Sequence, residues 1–248
     1  MPSATPKIIL LESVDSTNNY AMAMIQNGLA VDGNAVFARH QTHGKGRPGK
    51  VWKSRQGDNI ILSILAKMQW LPVIRQFELS MSVALGCHDF ISTQTSLTAA
   101  IKWPNDIFIN DSKAGGILIE NIIKGTLWQW AVIGVGININ QVDFENFDMP
   151  PVSLKQVTGE TYDVLQLAEE LYRFIMKRID DLKSSKSAAL LEEYNAKLFG
   201  RNRWVKLKKE GIVIETKIIG VSSSGRLITQ DACQREFNFG EVQFKGIL

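Results

Sequence analysis

Long apolar runs are missing from this sequence. Its N-terminal apolar stretch, Ile8 to Leu11, is four residues long. That is too short for the apolar region of a secretory signal, and no window approaches the ~18 apolar residues of a membrane-spanning helix. Cysteine is scarce: Cys87 and Cys233 stand alone, far from any CxxC or Cys/His metal spacing, which excludes a disulfide framework and the common zinc motifs. These absences predict a cytoplasmic chain with reduced thiols. Charge of one sign is lacking too. The 28 Lys and Arg against 25 Asp and Glu leave +3 over 248 residues, so nucleic-acid binding through the whole surface is excluded. Glycine (19) and proline (7) are too few for a collagenous or disordered chain. What is present, 45% apolar and 21% charged residues, describes a globular protein able to bury a sizeable core.

Patterning along the chain predicts an α+β fold. Ile8–Leu11, Asn34–Arg39, Asn59–Ala66 and Ala99–Trp103 read as strands, the last stopped by Pro104. Ile107–Ile109 and Gly116–Ile123 read as strands joined at Asn110-Asp111-Ser112, and Thr126–Val135 as the far arm of a hairpin turning at Lys124-Gly125. Asp15, Ser16, Thr17 and Asn18 offer helix caps before an Ala21, Met24, Ile25 stripe ending at Gly28. Pro72 suits the first turn of a helix carrying Phe77, Met81, Ala84, Leu85 and His88. Residues 143–151 are acidic and contain proline, the mark of a surface loop. Beyond them Leu165, Ala168, Leu171, Tyr172, Ile175, Ile179 and Leu182 form an amphipathic helix, and Ser187–Phe199 a further one. From Arg201 the pattern turns to short glycine-punctuated strands, enough for a five-stranded barrel. A boundary therefore falls near residue 200, dividing the chain into 1–199 and 200–248.

Three segments carry candidate chemistry. In Gln41–Trp52, Gly44, Gly46 and Gly49 free the backbone, Lys45, Arg47 and Lys50 supply donors for anionic oxygens, and no Asp or Glu occurs between Gly33 and Gly57. The spacing approaches a P-loop, but Val51 stands where Ser or Thr must hold Mg²⁺. A solvated basic hairpin is the plain alternative. The second segment, Lys102–Gly116, places Asn105 and Asp106 at a strand end and Lys113 beside the small run Ala114-Gly115-Gly116. The third, Gly134-Val135-Gly136-Ile137-Asn138, opens like a dinucleotide fingerprint, but Ile139 occupies the third glycine's place. There a flat ligand on the backbone and a β-bulge are alternative readings. His40 and His43 flank the basic loop as optional phosphate donors, whereas His88 and Cys87 read as core residues.

In this order, Ser16-Thr17-Asn18, the basic glycine loop, Lys102-Trp103-Pro104-Asn105-Asp106 with Lys113, and the late GVGIN resemble the catalytic core of biotin–protein ligases. The resemblance spans roughly residues 10 to 140. It implies a class II synthetase-like domain, a central mixed sheet with packed helices, followed by a small C-terminal β-barrel. It also implies adenylation of biotin by ATP with Mg²⁺, then transfer of biotin to a lysine on a biotin carboxyl carrier protein of acetyl-CoA carboxylase or a related carboxylase. By the same resemblance Ser16, Thr17, Asn18 and Gln41 line the biotin pocket. Gly44, Lys45, Gly46 and Arg47 order over biotin and its adenylate, and Lys113, flanked by Gly115 and Gly116, meets the carboxylate and α-phosphate. Lys50, Trp52, Asn105 and Asn138 serve the nucleotide. Asp106 serves Mg²⁺ or deprotonates the acceptor amine, which makes Lys113, Arg47 and Asp106 the catalytic group.

The loop departs from the family pattern. Lys45 and Lys50 stand where arginine is commoner, and lysine cannot form a bidentate fork. Pro48 stiffens the loop, and Gly115 replaces the usual alanine. With the core starting by about residue 8, no N-terminal helix-turn-helix and no sequence-specific DNA binding are expected. A sheet edge could support a homodimer, though no residue pattern specifies one. Rival readings are a lipoate ligase or octanoyltransferase of the same fold and, in another class, a basic-loop RNA-binding module.

Overall fold

Period-two alternation in the apolar runs builds one sheet with two unlike faces. The computed structural model describes residues 7–144, 151–184 and 187–248. Its strands β1 (Ile8–Leu11), β2 (Ala35–Ala38), β3 (Asn59–Lys67), β4 (Ala99–Lys102), β5 (Asp106–Ile109), β6 (Ser112–Lys124) and β7 (Leu127–Asn138) form a seven-stranded sheet in the order β1-β2-β3-β7-β6-β5-β4. β1 and β2 run parallel and every other neighbouring pair runs antiparallel. This is the mixed sheet that the sequence predicts.

Register decides what each face carries, because directly paired residues project to the same side. Ile60 pairs with Ile137, Leu62 with Val135 and Ile64 with Ile133. That buried face packs under α2 (Gln76–Gln94) and α4 (Val164–Ser184). The alternate residues, Asn59 with Asn138, Ile61 with Gly136, Ser63 with Gly134 and Asp106 with Gly116, face the other way. α1 (Thr17–Gln26) covers part of this second face through Ala21 against Val36, Leu65 and Val132.

The helix layer is tight. A Cβ added at Gly86 of α2 would stand 3.0 Å from the Ile175 Cα of α4. Arg178 of α4 joins Asp89 of α2 (2.6 Å) and Glu193 of α5 (Ser187–Ala196) (2.8 Å). Cys87 is fully buried there, and burial pushes its thiol pKa up, so it is the core residue expected. His88 is buried beside Asp89 at 3.5 Å.

Several elements differ from expectation. Pro72 precedes a short 3-10 turn, Val73–Arg75, and α2 proper begins at Gln76. Ser16 occupies the N-cap of α1, but its side chain makes no capping bond. β6 begins at Ser112, so Lys113 to Gly116 lie within a strand, and GVGIN lies inside β7 and pairs in unbroken register with β3. A short α3 (Leu154–Thr158) carries a Ser153/Gln156 capping box and ends at left-handed Gly159. The predicted acidic loop falls largely on residues 145–150, outside those described.

After α5, strands β8 (Trp204–Lys209), β9 (Ile212–Val221), β10 (Leu227–Gln230), β11 (Gln234–Phe237) and β12 (Gln243–Ile247) form an antiparallel sheet in the order β11-β10-β9-β8-β12. This is the small C-terminal β unit, and its apolar residues Val205, Leu207, Ile218 and Leu227 join the main core. Among the described residues no helix is long and apolar enough to cross a membrane.

The Gly86 contact generates a prediction. Gly86→Val must push α2 off α4 and should cost about 2 kcal/mol of stability through overpacking. A urea-unfolding midpoint equal to that of the unsubstituted protein would show that the helices yield freely.

Candidate functional site

The second sheet face, the start of α1 and the basic loop enclose a cleft of about 610 Å³. The loop is a small two-stranded ribbon. Trp52 N–H donates to Gly44 O (3.1 Å), Gly46 N–H to Lys50 O (3.1 Å) and Lys50 N–H to Arg47 O (2.8 Å). The last bond closes an Arg47-Pro48-Gly49-Lys50 turn with Gly49 at φ 76°. Proline at the second place and a positive-φ glycine at the third define a type II turn, so Pro48 and Gly49 shape the tip that carries Arg47 and Lys50. At the loop's base Lys45 Nζ lies 3.2 Å from Glu120 of β6.

A β-bulge builds the opposite wall. Asp106 pairs with Gly116 and Ile107 with Gly115, but Phe108 pairs with Lys113, so Ala114 is the extra residue. The inserted residue turns Lys113 onto the face of Asp106 and Gly116. There its ammonium lies 2.7 Å from Asp106 Oδ1 and 5.9 Å from the centre of the Trp52 ring. Asn138 donates from Nδ2 to the carbonyls of Lys113 (3.3 Å) and Val152 (3.2 Å), anchoring the strand that carries Lys113. Its amide group is thereby committed to backbone. Asn105 donates to Ile117 O (2.8 Å), while its Oδ1 and the Trp52 Nε1 are buried with no hydrogen-bond partner.

The floor is polar and hydrogen-bonded. Thr17 donates from its N–H (2.7 Å) and hydroxyl (3.1 Å) to Gln41 Oε1. Ser63 Oγ stands 2.7 Å from Thr17 Oγ1 and 2.6 Å from Asn18 Oδ1, its one proton serving one of them at a time. Asn18 Nδ2 donates to Glu120 Oε2 (2.7 Å). The β7 glycines make this packing possible. A Cβ at Gly134 would strike the Asn18 amide, and one at Gly136 would strike the Trp52 ring. The Gly-Val-Gly backbone is therefore covered by Asn18 at Gly134 and by Trp52 at Gly136, and no bulge interrupts β7 there. Gly116 differs: an added Cβ would meet Lys113 Nζ and the Trp52 ring at 3.5 Å, ordinary contact, while projecting into the cleft.

The structure brings Ser16, Thr17, Asn18, Gln41, Lys45, Gly46, Arg47, Lys50, Trp52, Asn105, Asp106, Lys113, Gly116 and Asn138 to this one cleft. Gly44 and Gly115 are not on its wall. Gly44 gives room to the Trp52 carbonyl, and Gly115 is crowded by Ile137 and Gly136 O. His40 and His43 lie off the wall as well, beside Ser13 (3.3 Å) and Thr42 (3.0 Å). Three participants were not picked out from the sequence. Ser63 and Glu120 bond the floor across distant strands, and no local signal marks them. Lys102 pairs in register with Asp106, so it shares its face, and the KWPND run was its signal. Burial lowers its pKa to about 8; Asp106 opposes that shift, while Lys113 and Arg47 reinforce it.

For a metal, the donor set is thin. Asp106 is ion-paired with Lys113, and among the described residues no three His, Cys, Asp or Glu side chains group to hold an ion.

The model of the biotin/lipoate A/B protein ligase family matches residues 10–138. The bifunctional ligase/repressor BirA of Bacillus spizizenii is 31% identical over 180 residues, 70% of this chain and 54% of that protein. The chain thus spans about half the length of that relative. The biotin–[acetyl-CoA-carboxylase] ligase of Mycobacterium tuberculosis is 30% identical over 185 residues, 73% of this chain and 67% of that one. In fold, the chain superposes on biotin protein ligase from Aquifex aeolicus in complex with biotin and ATP with a TM-score of 0.82, 24% identity, and coverage of 98% of this chain and all of that one. With over half of its length matched by the family model, the chain belongs to the biotin/lipoate A/B protein ligase family.

Proposed function

We infer that the cleft unites two anionic reactants and shields what they form. A carboxylate is a poor acyl donor. Attack of its oxygen on the α-phosphorus of ATP forms an acyl-adenylate, and the bond to the β-phosphate breaks to release pyrophosphate. Both reactants carry negative charge, so cations must meet them, and Arg47, Lys50 and Lys113 converge here. The observation that carries the reading is this convergence over a floor whose Gly116 has no packing reason of its own. The orphaned Trp52 Nε1 and Asn105 Oδ1 on the wall supply a donor and an acceptor for a ligand with mixed polarity.

On this reading, which the names of the Mycobacterium tuberculosis and Paracoccus denitrificans relatives favour over lipoate, the acid is biotin. Its ring sits over Thr17, Asn18 and Gln41, with Ser16 and Gly46 beside it, and its carboxylate reaches Lys113. Arg47 and Lys50 close over the adenylate, and Trp52 and Asn105 meet the nucleotide. Asn138 and Gly115 act as supports for the Lys113 strand, and Gly44 for the loop base. The acceptor is a lysine amine on a biotin carboxyl carrier protein. It loses a proton and attacks the acyl carbon, giving an amide and releasing AMP. Asp106, 2.7 Å from Lys113 Nζ, is the carboxylate placed to take that proton. Mg²⁺ enters with the nucleotide, whose phosphate oxygens supply most of its ligands, and Asp106 is the carboxylate on the wall that would add one more. Residues 1–199 form the catalytic unit and 200–248 the accessory one.

The decisive measurement is ATP–pyrophosphate exchange with the purified protein, expected with biotin and absent or far slower with lipoate. Exchange that needs no biotin would end the assignment. Lys113→Ala should lower the exchange rate by about 10²–10³-fold, as expected for removing one charge-stabilising donor; a rate near that of the unsubstituted protein would take Lys113 out of the reaction. Arg47→Ala should still form biotinyl-AMP but release it about tenfold faster or more, read by rapid filtration of the labelled adenylate. Unchanged retention there would separate the loop from the ligand.

A further inference from the structure

Lys102 sits at the seam between the two sheets. Its ammonium lies 4.7 Å from the ring centre of Phe108 on β5 and 4.6 Å from that of Phe244 on β12. Phe199 closes the arc between them, 4.9 Å from Phe108 and 5.8 Å from Phe244. The two rings that meet the cation thus come from the two different sheets. A shift of register between Phe244 and Gly246 leaves Lys245 as the extra residue of β12, so Phe244 and Lys245 both border the same inter-sheet cleft of about 830 Å³. Arg47, Lys50, Asn105 and Asp106 form a wall shared by this cleft and the first one. On the other flank Trp103 Nε1 donates to Gly225 O (2.9 Å), and its ring stands 5.4 Å from Phe239, fastening the C-terminal sheet to the same KWPND run.

We propose that Phe244 is a positioning residue which, by clamping Lys102 against Phe108, makes the C-terminal sheet part of the phosphate-binding wall. A lysine side chain has four rotatable bonds and in open water would sample many rotamers. Two ring faces attract the ammonium and fix its direction. The groups it faces are Asp106 on β5, Lys113 on β6, Arg47 and Lys50 on the loop, and Lys245 on β12, one carboxylate among cations. Cations gathered in this way along one cleft suit an anion of several charges. The ligand it suits is a polyphosphate, and on the adenylating reading above this is the phosphate end of the nucleotide or the pyrophosphate that leaves it. The clamp itself can be tested without that reaction.

The test is calorimetric titration of the full chain with inorganic pyrophosphate. Phe244→Leu keeps an apolar side chain but removes the ring face, and should weaken binding about tenfold. Phe244→Trp should restore it. Lys102→Met should weaken it as much, and adding Phe244→Leu to Lys102→Met should bring no further loss. Equal pyrophosphate affinity in Phe244→Leu and the unsubstituted protein overturns the proposal, and so does a Phe244→Leu effect that persists undiminished without Lys102. In biotin-dependent exchange, Phe244→Leu should raise the KM for ATP and leave the KM for biotin unchanged; a shift in both would mean general loosening and would also overturn it. If the unsubstituted protein shows no biotin-dependent exchange while the titrations behave as stated, the ligase reading falls and the clamp stands.

Discussion

The Lys113–Asp106 pair depends on a single inserted residue. In a regular strand Lys113 would project to the face opposite Gly116, into the layer filled by Ile107, Ile137 and the helices. Ala114 breaks the alternation, and the lysine turns instead toward Asp106. A buried, unpaired ammonium on the helix side would cost several kcal/mol, so the bulge is as much a condition of folding as of chemistry. Asn138 then holds the bulged strand by the carbonyl of Lys113 itself. Removing that amide would free the strand at the position where its direction matters most.

Charge is the second constraint. The protein is close to neutral, yet Arg47, Lys50, Lys102 and Lys113 gather around Asp106. Two unit charges 4 Å apart interact by about 4 kcal/mol at the effective dielectric of a protein surface, so the cluster is held at a cost in folding free energy. The lowered pKa of Lys102 expresses this cost: burial comes first, and the neighbouring cations add to it. An anionic ligand lowers the energy of all four at once. On the proposed reading, binding of phosphates and relief of that repulsion are the same event.

Legibility in the sequence followed the range of the interaction. Strands β3 and β7 and helix α4 were readable because alternation and helical spacing are local, and Leu167 was the one buried α4 side chain besides Val164 that the stripe omitted. The KWPND run and the basic loop were readable as candidates, since charge and glycine density are local as well. The bulge at Ala114 was not, because a small residue beside two glycines carries no mark of which strand has the extra member. Glu120 and Ser63 were missed for a related reason. Each acts on Asn18 through strands far along the chain, and their role exists only once β3, β6 and β7 are in register. The glycines of β7 were seen as open backbone, but which side chains would fill that space, Asn18 and Trp52, is decided by where α1 begins and by the loop's return path.

The loop shows how a weak contact can be the suitable one. Lys45 reaches Glu120 at 3.2 Å, with both groups partly exposed, and such pairs contribute on the order of 0–1 kcal/mol. The type II turn at Pro48-Gly49 gives the tip a fixed shape. A bidentate arginine at position 45 would grip Glu120 with two parallel bonds and raise the barrier to opening. Lysine makes one, a weaker hold at the loop's base. On the proposed reading the loop must shield an acyl-adenylate, which water destroys. For a carrier protein that must reach the same bond, it cannot be locked. On the proposed reading the single ionic contact at the loop's base and the cations at its tip divide these tasks, the ligand's charge adding to the hold that Lys45 and Glu120 supply.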